Sequence, residues 1–139
     1  MSDVKHGLAW SKVYELGVEQ IDAQHRRLFV LVSELTKACI DGVETEKLYE
    51  TLDFLVNYTV QHFNDEEALQ LKYNYPDYER HKQLHEDFKA TVGGLVQEFV
   101  NSGSSAELSS NVNTIVVRWL IQHIQREDKK IGVHINSLK

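Results

Sequence analysis

Four apolar stripes recur along this chain at steps of three and four residues, the spacing that puts side chains on one face of an α-helix. The first holds His25, Leu28, Val32, Leu35 and Cys39. The second runs through Leu48, Leu52, Leu55, Thr59, His62, Glu66 and Leu69. The third holds His81, His85, Phe88, Val92, Leu95 and Phe99, and the fourth Val112, Val116, Trp119, Leu120, His123 and either Glu127 or Asp128. Histidines and carboxylates fall early on the first and third stripes and late on the second and fourth. Antiparallel neighbours need that alternation if those groups are to share one layer, so the pattern predicts an all-α, antiparallel, up-down-up-down four-helix bundle.

The joints between stripes carry their own signals. Asp41-Gly42 offers a residue that tolerates a left-handed helix end, and Thr45 with Glu46 is suited to opening the second helix. Pro76 cannot continue a helix, and Asp77 is placed to cap the third. Asn101-Ser102-Gly103-Ser104-Ser105 reads as the third loop, with helix four starting between Ser105 and Ser110. Lys129 and Lys130 read as its end, where positive charge suits the helix dipole. Gly93-Gly94 stands inside the third helix at a cost of roughly 1 kcal/mol per glycine against alanine; close approach of a neighbouring helix is the expected reason.

Length and composition place limits on this picture. A chain of 139 residues reads as one domain: an N-terminal arm over residues 1–20, a bundle over about 21–131 and a tail over 132–139. The formal charge of −6 leaves no basic patch for nucleic acid. No apolar run reaches membrane-spanning length and Met1-Ser2-Asp3-Val4-Lys5-His6 starts no signal peptide, so the expected location is cytoplasmic, without a membrane partner. Cys39, the single cysteine, lies on an apolar stripe and reads as a reduced core thiol.

The chemistry sits where the stripes turn polar. His25, His62, Glu66, His81, His85, His123 and Asp128 occupy positions where a bundle normally buries leucine. Burying such groups without partners costs several kcal/mol each, so seven of them converging on one core point to a dinuclear metal centre. His62 and Glu66, like His81 and His85, are four apart and project side by side. Asp128 is five after His123, which on an ideal helix is about 500° around, some 100° off the four-step direction, and this reach suits a second ion. Imidazole and carboxylate without thiolate suit iron, zinc, copper or manganese.

The chain resembles a single-domain bacterial hemerythrin. The resemblance rests on Trp10, Gly17-Val18, Ile21-Asp22-Ala23-Gln24-His25, His62-Phe63-Asn64-Asp65-Glu66-Glu67, Tyr75-Pro76, His81, His85, Trp119-Leu120-Ile121-Gln122-His123 and Asp128, and it covers nearly the whole chain. It implies two irons (Fe2+/Fe3+), one held by His81, His85 and His123 and the other by His25 and His62. Glu66 and Asp128 would bridge them beside a solvent-derived oxo or hydroxo group. Three imidazoles, two carboxylate oxygens and the bridge fill six places on the first iron, whereas the second keeps one open, where dioxygen binds end-on and reversibly. Leu120 and Phe63 would line the oxygen pocket, a plain core role being equally open for Phe63.

The remaining residues read more simply. Trp119 and Tyr58 are expected to pack the core, Glu67 to be solvated or to stand behind a ligand, and His6 and His134 to lie at the surface. Trp10, Leu16, Val18 and Ile21 belong to the arm, expected to cover the bundle end. No acid and base pair beyond the ligands is evident, so the chain reads as a non-enzyme that stores or delivers dioxygen. Arm, helices and tail use all 139 residues and leave none for a signalling module. The alternatives are an oxygen or redox sensor acting through a protein partner, or a di-iron enzyme consuming peroxide or nitric oxide.

Overall fold

A computed structural model describes residues 10–42, 45–103 and 106–139; His6, the start of the arm and the Ser104-Ser105 end of the third loop fall outside them. Among the described residues there are no strands, and four long helical runs make an up-down-up-down bundle. They are α1 (Glu19–Asp41), α2 (Thr45–Lys72), α3 (Tyr78–Ser102) and α4 (106–137). No helix among them is long and apolar enough to cross a membrane. Each helix packs on its sequence neighbour, and the first half of α4 closes the bundle against α1 and α3. Ile21, assigned above to the arm, belongs to the first turn of α1.

The buried faces are the stripes. On α3 the buried residues are His81, His85, Phe88, Val92, Leu95 and Phe99, which is the third stripe entire. On α2 the stripe is buried from Leu48 to Glu66, after which the buried face shifts: Leu69 is half-exposed while Gln70 is buried. Gly42 ends α1 in the left-handed region (φ 68°) with its N–H on the Ala38 carbonyl. Asp77 stands at the start of α3 but does not cap it with its side chain; its carboxylate takes Arg80 Nη1 at 3.0 Å instead.

Two further expectations, on the paired glycines and on the end of helix four, are corrected. A Cβ built on Gly93 or Gly94 would meet nothing within 4 Å, so no close helix approach requires either glycine. Helix four does not end at Lys129-Lys130, because α-helix continues from Lys129 to Ser137 and Ile131 and Ile135 are buried against Tyr75. This last segment is where the arm docks. The Asn136 amide donates to the Leu16 carbonyl at 3.0 Å. A Cβ on Gly132 would stand 2.6 Å from that same oxygen, so only glycine permits the approach.

The Asp22 carboxylate completes the joint. It is buried and accepts the Leu16 N–H at 2.8 Å and the Gly17 N–H at 3.1 Å, anchoring the arm while Trp10 and Tyr14 pack on Phe29. Asp22→Ala strands two amides and is expected to cost about 2–4 kcal/mol by urea denaturation. A loss below about 0.5 kcal/mol, the range of ordinary surface substitutions, would show that the arm is held otherwise. His134, expected at the surface, is half-buried and donates Nε2–H to the Tyr73 carbonyl at 2.7 Å, tying the end of α4 to the α2–α3 turn.

Candidate metal centre

The fold brings the five histidines and two carboxylates named above into one layer. His25 from α1, His62 and Glu66 from α2, His81 and His85 from α3, and His123 and Asp128 from α4 are all buried. Their donor atoms form two overlapping groups, each within 4.8 Å: Glu66, His81, His85, His123 and Asp128, and His25, His62, Glu66 and Asp128. The two carboxylates belong to both groups. Three imidazoles stand on one side of them and two on the other.

The path of α4 decides how Asp128 gets there. From His123 to Asp128 the backbone makes a π-helical turn, whose i→i+5 hydrogen bonding brings residues five apart into register. The offset of about 100° expected on an ideal helix is thereby removed, and Asp128 Oδ1 stands 3.0 Å from His123 Nε2 on the same face. Glu127, which an unbroken α-helix would have pointed inward, is turned towards α3. There it accepts both guanidinium nitrogens of Arg80, at 2.6 and 3.1 Å.

The distances test whether the cluster suits metal. Six-coordinate ions with bonds of ~2.1 Å hold neighbouring donor atoms ~3.0 Å apart. His81 Nε2 is 2.9 Å from Glu66 Oε1 and 3.0 Å from Asp128 Oδ1, His85 Nε2 is 3.1 Å from Glu66 Oε1, and His85 and His123 face each other through Nε2 at 3.2 Å. On the other side His25 Nε2 is 2.9 Å from Asp128 Oδ2, and His62 Nε2 is 3.5 Å from Glu66 Oε2. Despite these separations, His25 Nε2, Glu66 Oε2 and both Asp128 oxygens have no partner in hydrogen-bonding geometry. Donor atoms at contact distance that aim past one another are what a ligand set looks like, and the residues fit a pair of ions.

In the metal-free protein the cluster is a charged one. Burial opposes an imidazolium at His25, yet Asp128 and Glu66 beside it outweigh burial and raise its pKa to about 9. The same balance takes His81 to about 10. Burial wins at His62, whose pKa is lowered. Burial also works against the Glu66 carboxylate, but the surrounding imidazoles hold it well below the usual range, and Asp128 is lowered likewise against both burial and Glu66.

Behind the cluster stand groups that orient it. Glu67 Oε2 lies 2.8 Å from His85 Nδ1, so that nitrogen carries the proton and Nε2 is left for an ion. Gln24 does the same for His62: its Oε1 is 2.7 Å from Nδ1, and its amide nitrogen donates to Asp65 at 2.8 Å. The sequence assigns no role to Gln24 or Asp65, and Glu67 reads there as either solvated or supporting. Their signal is adjacency, since each directly precedes or follows a residue of the cluster. Aromatic rings seal one side: Phe63 stacks on His85 at 3.8 Å and 4°, and Trp119 stacks on His123 at 4.2 Å and on Phe88 at 3.9 Å. Leu120 is buried in the same core.

Residues 16–134 match the family model of the hemerythrin HHE cation-binding domain. The chain is 30% identical to a bacteriohemerythrin of Stenotrophomonas maltophilia, covering 94% of this chain and 85% of that protein. It is 32% identical to one of Methylococcus capsulatus, over 80% of this chain and 82% of the other. A wild-type hemerythrin crystal structure superposes with a TM-score of 0.84 at 26% identity, covering 93% of this chain and 98% of that one. A four-helix bundle with a buried histidine and carboxylate cluster able to hold metal defines the class. The chain belongs to the hemerythrin family.

Proposed function

We propose that this protein binds dioxygen reversibly at a non-haem di-iron centre and serves in oxygen storage or delivery. The observation that carries the reading is the unequal sharing of imidazoles, three against two, across a common pair of carboxylates. His81, His85 and His123 would hold one iron and His25 and His62 the other. Glu66, Asp128 and a solvent-derived oxygen would join them. Bound iron supplies reversible electron transfer to a small ligand. With one imidazole fewer, the His25 and His62 side would be the one to take that ligand. Glu67 and Gln24 keep His85 and His62 in the tautomer that offers Nε2, while Phe63, Trp119 and Leu120 keep water from the layer.

The test is spectroscopic. Adding oxygen to the reduced, iron-loaded protein is expected to raise a visible absorption band that vanishes when oxygen is removed. Irreversible oxidation with no band, even by stopped flow, would instead favour a sensor or a di-iron enzyme. Leu120→Ala probes the pocket separately. Its side chain leans towards the preceding turn of α4, so its loss should admit solvent and speed autoxidation while both irons stay bound. If it only packs the core, the substitution costs about 2–5 kcal/mol and leaves ligand kinetics unchanged.

A further inference from the structure

A second feature of the bundle lies outside the ligand layer. Between α2 and α3 an apolar pocket of about 120 Å³ opens beside Gly93. Leu52, Leu55, Thr59, Phe88 and Val116 form its buried floor, and Val56, Val60, Lys89 and Gly93 its more exposed rim. We propose that this pocket takes up a small apolar gas molecule and is the way by which dioxygen enters the bundle, an inference that rests on the function proposed above.

Three observations carry it. First, the lining has no polar group free to hold a water or a charged ligand. The Thr59 hydroxyl is spent on the Leu55 carbonyl at 2.7 Å, and the Lys89 ammonium is drawn aside to Glu86 at 2.6 Å. Dry apolar cavities of roughly this size, ~150 Å³, bind xenon or benzene, and dioxygen is smaller and prefers hydrocarbon to water.

Second, Gly93 is a mid-helix glycine that no close contact requires, since a Cβ there would meet nothing within 4 Å. Any larger residue would project at the mouth of the pocket. A costly residue with no packing reason is explained if the mouth must stay open.

Third, the floor lies directly beneath the ligands. Thr59 precedes His62 by one turn, Phe88 follows His85 by one turn, and Val116 precedes His123 by two. Phe88 packs on Trp119 at 3.9 Å and stands 6.1 Å from Phe63, whose ring covers His85. The rings of Phe88, Phe63 and Trp119 therefore stand between the pocket floor and His85 and His123, and dioxygen on this route has to pass them to reach the His25 and His62 side.

The experiment has two arms. Crystals of the metal-loaded protein held under xenon should show a xenon atom in this pocket, and its absence there would overturn the proposal. In the second arm, Gly93→Leu places a side chain at the mouth, on a helix position where a Cβ meets nothing within 4 Å. Because a narrowed passage raises the barrier in both directions, oxygen association and dissociation should slow by the same factor, ~5-fold or more, with affinity unchanged. Gly93→Ala should give a smaller effect in the same sense and shows that the fold accepts a side chain there. Unchanged association in a Gly93→Leu protein that no longer takes xenon would overturn the entry route. A protein that takes xenon here but binds no dioxygen would sink the functional reading and the route with it, leaving the gas pocket standing.

Discussion

Replacing Glu66 with alanine should lower the metal content from two ions to one, and the ion that remains should be the one beside His123. Glu66 is common to both donor groups, so its removal reduces one group from five residues to four and the other from four to three. The larger group keeps four residues, His81, His85, His123 and Asp128, enough imidazole and carboxylate to retain a first-row ion. The smaller keeps His25, His62 and Asp128, with His62 left without its carboxylate neighbour at 3.5 Å. Metal analysis after growth in iron-rich medium reads the stoichiometry directly. Two ions retained at full occupancy in Glu66→Ala would show that this carboxylate is not shared between them. The companion Asp128→Ala should be at least as severe, because Asp128 lies 3.0 Å from both His81 and His123 and 2.9 Å from His25.

The bundle and its polar layer were legible because both follow from one periodicity. On α3 the apolar stripe and the two histidines share a regular α-helix, and every residue named from spacing is buried. The reading weakened where the backbone leaves that regularity. The π-helical turn from His123 to Asp128 changes which residue faces inward, and nothing in the composition of His-Ile-Gln-Arg-Glu-Asp marks it, so the spacing left Glu127 and Asp128 both open. The end of α4 was missed because Lys129-Lys130 looks like a terminus locally. What keeps the helix going is tertiary: Gly132 and Asn136 dock on Leu16, and His134 on Tyr73. Gly93 hides its reason in the same way, since sequence shows that a side chain is missing but not whether its place is filled.

The metal-free protein should be most stable near pH 6.5 and should weaken steadily as the solution turns alkaline, whereas the metal-loaded protein should not. His25 and His81 have pKa values raised to about 9 and about 10 by Asp128 and Glu66. A raised histidine contributes stability that is complete below its unfolded value of about 6.5 and is lost as pH climbs through its folded value. His62 is lowered by burial, so below about 6.5 the unfolded chain takes a proton that the folded one refuses, and stability falls on that side too. Glu66 and Asp128, both lowered, add a further loss as pH drops through the ordinary carboxylate range. Metal reverses the alkaline limb, because an ion needs neutral imidazoles and must displace the protons on His25 and His81. Loading should therefore release about two more protons at pH 7 than at pH 10.5, and the gap in melting temperature between loaded and metal-free protein should widen from pH 6.5 to pH 10. Calorimetric titration in buffers of different ionisation enthalpy counts the protons, and thermal melts at matched pH read the gap. Equal proton release at the two pH values would mean that the buried imidazoles and carboxylates do not share charge in the way their 2.9–3.0 Å contacts indicate.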